Sequence, residues 1–103
     1  MQFNYEGVII ANNYNATVSL FVYGGHEVTN RITFFVNHKP VKVNGVDFLE
    51  VQMKYGQMLL IDIELSLDNL NEFNSLCAIM MTTGSDYTTQ EMFKTRSILL
   101  VNE

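Results

Sequence analysis

The sequence predicts an all-β domain, an antiparallel sandwich of about seven or eight short strands, and three observations carry that prediction. From Leu59 onward, Leu59, Ile61, Ile63, Leu65 and Leu67 fall on one parity while Asp62, Glu64 and Ser66 fall on the other, the period-two pattern of a strand with one dry and one wet face. Turn residues recur at short intervals between apolar runs, at Gly24-Gly25, Asn37-His38, Asn44-Gly45 and Gly56-Gln57, the punctuation of consecutive strands. No stretch offers a helix: a helical stripe through Leu60 and Ile63 would also bury Glu64.

In chain order, Phe3, Tyr5, Val8 and Ile10 form a first strand whose phase shifts around Gly7, where a bulge is expected. Ala16 to Tyr23 alternates, with Val18, Leu20 and Val22 on one face and Thr17, Ser19, Phe21 and Tyr23 on the other. Its link to the next strand is either an odd-length loop centred on Gly25 or a crossing to a second sheet. The pattern accepts both. A turn at Asn37-His38 sets Phe34 opposite Val41 and Ile32 opposite Val43, leaving Pro40 on a short strand that must be an edge. Asn44-Gly45 is the strongest hairpin signal, bringing Val43 to Val46. The apolar parity then changes, so a bulge or a change of sheet is expected at Phe48-Leu49. A loop centred on Gly56 pairs Met53 with Leu59 and Val51 with Ile61. Leu76 to Met81 and Ile98 to Val101 are apolar on both parities and read as interior strands, with 82–90 a polar loop between them.

At 103 residues the chain is expected to be one domain, large enough to bury a core without metals or disulfides. A net charge of −5 disfavours nucleic acid, because neutralising phosphates supplies most of that affinity. No run approaches the ~20 apolar residues of a membrane span, and the first ten residues carry no signal-peptide pattern. Cys77 is the single cysteine and is expected to be buried and inert.

The alternating strand to Leu67, the corner Leu70-x-x-Phe73-Asn74, the run Leu76-x-Ala78-x-Met80 and the hairpin Asn37-His38-Lys39-Pro40-Val41 together resemble bacterial immunoglobulin-like modules of the adhesin-associated (CARDB) or fibronectin type III kind, over roughly residues 28–81. The resemblance implies an immunoglobulin-like sandwich. It also implies a non-catalytic module of a surface or secreted protein, possible to excise from a longer exported chain. Two positions depart from the pattern: 38 is His where Gly is usual, and the corner carries Phe73 and Asn74 in place of a Tyr whose hydroxyl would bond there.

A search for chemistry finds little. His26 and His38 have no carboxylate or nucleophile at a catalytic spacing. Asp62 and Glu64 share the wet face of a strand, as half-buried sheets require. Asp68, Asn71 and Glu72 offer oxygen ligands for calcium in one turn, but their spacing is not that of a calcium loop and turn stabilisation accounts for them equally. No catalytic residue and no cofactor is assigned.

What remains is a surplus of apolar residues on wet parities, Phe21, Tyr23, Phe35, Phe48 and Leu60. Contiguous exposed apolar surface marks interfaces. Phe21, Tyr23 and Phe35 are therefore the candidate binding patch, for a protein partner, a neighbouring domain or an identical subunit. The alternative is a carbohydrate-binding module with Tyr14, Tyr23 or Tyr87 as the stacking platform, although the chain has no Trp, the largest such ring.

Overall fold

The computed structural model describes residues 2–11, 14–23, 27–67, 74–84 and 88–100. They form eight strands and no helix: β1 (Gln2–Ala11), β2 (Asn15–Tyr23), β3 (Val28–Val36), β4 (Lys39–Val41), β5 (Leu49–Met53), β6 (Met58–Ser66), β7 (Asn74–Thr83) and β8 (Thr88–Leu100). The hydrogen-bonded order is β4-β3-β7-β8-β1-β2-β6, with β5 also on β3. One edge of β3 carries β7 along most of its length, and the other is shared between β5 at residues 28–32 and β4 at residues 34–36.

This grouping is that of an immunoglobulin-like sandwich. The first, second and sixth strands make one layer, and the third, seventh and eighth make the other, with β2 and β3 in different layers. The chain therefore crosses between layers after Tyr23, the second of the two connections that the pattern left open. β1 joins the layers at one side. It pairs antiparallel with β2 from Gln2 to Glu6, shifts register before Ile10, and pairs in parallel with β8 at Ile9–Ala11. The expected irregularity near Gly7 is this shift. The parallel pairing was not foreseen, and it is accessible because the whole domain intervenes between the two strands.

Alternation builds the core. Ala16, Val18, Leu20 and Val22 of β2, Ile63 and Leu65 of β6, Ile32 and Phe34 of β3, and Leu76, Ala78 and Met80 of β7 are buried in one cluster. Each fully buried aliphatic or aromatic side chain contributes roughly 1.5–3 kcal/mol of apolar transfer. Among the described residues Asn30, Asn74 and Thr82 are the buried polar ones. Asn30 is fully buried, accepts a hydrogen bond at Oδ1 from the Thr82 hydroxyl (2.7 Å), and donates from Nδ2 to the Val51 carbonyl (3.4 Å). It ties β3 to β7 and β5 inside the core, where an unpaired amide would be costly.

The turns act as their residues dictate. Asn37 and His38 have φ of 52° and 69°, and Asn44 and Gly45 have 50° and 82°, the left-handed pairs of type I′ hairpins. Phe34 lies opposite Val41, and Val43 bridges Val46, as expected. Two expected pairings differ. Ile32 meets Leu49, not Val43, because after Val41 the chain changes layer and Val43 bridges Leu65 of β6. The hairpin of Met53 with Leu59 does not form beyond its turn: β5 pairs with β3 and β6 with β2. Hairpin and crossing both put Val51, Met53, Leu59 and Ile61 on core-facing parity, so alternation could not separate them. An ion pair between Arg31 Nε and Glu50 Oε2 (3.3 Å) accompanies the β3–β5 register actually used.

Two further expectations are corrected. Residues 88–90 belong to β8 and 82–83 to β7, so the polar connection is shorter than 82–90; Thr-rich segments suit strands. Cys77 is half-buried on the outer face of β7, opposite Phe35. Leu76 and Ala78 take the inward positions on either side of it. The corner 68–73 lies outside the described residues.

Candidate functional site

β2 and β6 are paired in unbroken register over their full length, so their outward residues can be placed in rows. Thr17 lies opposite Glu64, Ser19 opposite Asp62, Phe21 opposite Leu60 and Tyr23 opposite Met58. The Ser19 hydroxyl donates to Asp62 Oδ1 at 2.6 Å. This face is polar at one end and apolar at the other. Leu60 is 64% exposed, Met58 58% and Tyr23 44%, with Phe21 half-buried between them.

Of the three residues expected to form a patch, Phe21 and Tyr23 are neighbours on this face. Phe35 is not with them. It lies half-buried on the outer face of the other layer, between Pro40 and Cys77. Alternation assigns a residue to the wet side of its own strand but carries no information on which layer that strand joins. Phe48 is separate again, with the Arg31 guanidinium 5.0 Å from its ring centroid. Tyr14 precedes the nine-residue strand that Tyr23 ends, which puts them about 30 Å apart at ~3.3 Å per residue, too far for a single stacking platform. Tyr87, His26 and the calcium candidates Asp68, Asn71 and Glu72 lie outside the described residues. Among the described residues no three His, Cys, Asp or Glu side chains cluster to hold a metal, and no helix is long and apolar enough to cross a membrane.

Sequence reasoning missed the edge of β6. Its far half is covered: Asn44 N–H donates to the Glu64 carbonyl (2.8 Å), Glu64 N–H donates to Asn44 Oδ1 (2.9 Å), and Ser66 N–H donates to the Lys42 carbonyl (3.0 Å). These bonds show that even-numbered residues of β6 direct their backbone groups away from β2. By the period of two, Met58, Leu60 and Asp62 do the same. Among the described residues nothing pairs with them, since β5 has departed to β3. The readable signal was the composition of 58–62 (MLLID), which holds none of the Lys, Pro or Gly that usually protect an edge.

Where β3 begins and β5 and β7 end lies an open groove of about 780 Å³. Val28 and Met53 form its apolar part, Gln52, Gln57 and Thr83 its polar part, and Glu27 and Lys54 carry its charges. The Lys54–Gln57 turn beside it is held by Gln57 N–H to the Lys54 carbonyl (3.1 Å) and by Lys54 N–H to Gln57 Oε1 (3.0 Å). Tyr55, at the tip of that turn, is 82% exposed. On the β2–β6 face the Ser19 hydroxyl and the Asp62 carboxylate meet in an exposed cross-strand hydrogen bond, and the groove is open to solvent. What both offer is surface.

No protein-family model and no curated sequence matches the chain. Among solved structures, a crystal structure of a protein from Archaeoglobus fulgidus is similar over 93% of this chain and 90% of its own, with 12% sequence identity and a TM-score of 0.44.

Proposed function

We propose that this domain is a non-catalytic protein-interaction module that works through the outer face of β2 and β6. The observation that carries the reading is the cross-strand cluster of Phe21, Tyr23, Met58 and Leu60, which puts two strongly exposed aliphatic side chains beside two aromatic ones on a sheet surface. Isolated exposed apolar residues need no explanation, whereas a contiguous group bordered at one end by Ser19 and Asp62 has the make-up of an apolar interface centre with a polar margin. The resemblance to bacterial surface modules supports an exported or cell-surface setting, in which such a domain spaces, presents or binds.

The test uses the double variant Phe21→Thr/Leu60→Thr. Far-UV circular dichroism and a urea melt establish that it folds. Peptides selected on the wild-type domain from a random-peptide display library are then measured against both proteins, with a glycan array in parallel. The reading expects peptide binding by wild type that the double variant loses. Peptide binding unaffected by the double variant would contradict it, and a glycan signal lost in the variant would replace it with the carbohydrate-binding alternative.

A further inference from the structure

We infer that the domain pairs with a second copy of itself along the open edge of β6, antiparallel, on a twofold axis through Leu60. The inference rests on reading the domain as an interaction module and names the partner of that same surface. It begins with the limits of the edge. Pairing by Asn44 covers β6 from Glu64 onward, and the turn through Gly56 precedes Met58. Among the described residues the open stretch is thus Met58 to Asp62, and Leu60 is its midpoint.

A twofold axis at Leu60 makes this stretch self-complementary. Leu60 then faces Leu60 of the second copy, and Met58 faces Asp62 in both directions. All three are residues whose backbone N–H and C=O point to the open side. Two bonds for each of three opposed pairs give about six new hydrogen bonds. On the core side the same register sets half-buried Leu59 against half-buried Ile61 of the second copy, extending the apolar layer across the junction. On the outer side it joins the two Phe21–Leu60 rows into one.

Pairing length and charge placement select this register: an axis at Leu59 or Ile61 opposes only two pairs of open residues and makes about four hydrogen bonds in place of six. Each copy carries −5, so a workable contact must keep acidic groups apart. An axis at Asp62 would oppose two carboxylates directly, which is destabilising. An axis at Met58 would place the Gly56 turn against the partner's Leu60 and lose pairing. The Leu60 axis sets each Asp62 opposite an uncharged Met58.

Sedimentation over the micromolar to sub-millimolar range tests the inference on three proteins. Wild type is expected to show a concentration-dependent monomer–dimer equilibrium. Leu60→Lys puts two lysines at one cross-strand position and should raise the dimer dissociation constant about tenfold or more. Met58→Lys puts each lysine opposite the second copy's Asp62 and should leave the dimer as tight or tighter. Both substitutions are at exposed outward positions, and circular dichroism shows whether each variant is folded. A wild type that stays monomeric throughout would overturn the inference. So would equal weakening by both lysines, since that would exclude the register. If wild type is monomeric yet binds its selected peptides through Phe21 and Leu60, the interaction-module reading survives without the dimer; if it does neither, both fail.

Discussion

Ile61 and Ile63 are two residues apart on the same strand and parity, and the structure distinguishes them. Ile63 is buried next to Leu65, which Val43 bridges, whereas Ile61 lies beside the open edge and is half-buried. Ile63→Ala is therefore expected to cost roughly 2–5 kcal/mol. Ile61→Ala should cost less, and exposed Glu64→Ala should stay within about 0.5 kcal/mol; urea melts of the three variants check the order. The inward parity was legible from the sequence. The difference in depth was not, because it depends on a neighbour supplied from twenty residues away. Asn30 was illegible for a related reason. A polar residue on the dry parity beside Ile32 reads as an error in the pattern until Thr82 and the Val51 carbonyl are brought to it. Thr82→Val leaves the Asn30 Oδ1 without its donor and is expected to cost about 1–3 kcal/mol in the same melts.

At the scale of elements, turns determine where each strand begins, and local sequence encoded them well. Asn44-Gly45 and Asn37-His38 form the tight turns expected of them, and Phe34 meets Val41. Asn44 does more than turn the chain. Its Oδ1 and N–H both bond the Glu64 backbone, so the hairpin tip also seals half of β6. Asn44→Ala should cost about 1–2 kcal/mol and uncover the Glu64 amide, read by urea melt and by hydrogen exchange. His38 holds φ 69° with an exposed side chain. His38→Gly should raise stability by up to about 1 kcal/mol, because glycine adopts that conformation without a Cβ penalty. Strand partners beyond the turns were less legible. The Gly56 turn forms, with φ 70°, yet its two strands part to different layers. A register argument compares faces, and in a sandwich the inner faces of both layers are apolar.

For the whole molecule, the arrangement of layers follows from where each strand finds its second neighbour. That question decides what is exposed. Because β5 leaves β6 for β3, the first half of β6 is left as an edge, and Phe21, Tyr23, Met58 and Leu60 are left at its margin. Phe21 and Tyr23 were identifiable as outward residues, but their separation from Phe35 and their union with Met58 and Leu60 required the sheet order. The candidate site was therefore half legible: its residues by parity, its shape only by topology. The central claim is that β6 is bonded to β2 on one side and, among the described residues, open on the other from Met58 to Asp62. Residue-resolved amide hydrogen exchange along β6, at a dilution that keeps the domain monomeric, tests it most directly. The structure predicts an alternating profile, with slow exchange at Leu59, Ile61, Ile63, Glu64 and Ser66 and fast exchange at Leu60 and Asp62, which gain protection only as concentration rises. Slow exchange at Leu60 and Asp62 in the dilute monomer would contradict it, since those amides would then already have a neighbouring strand.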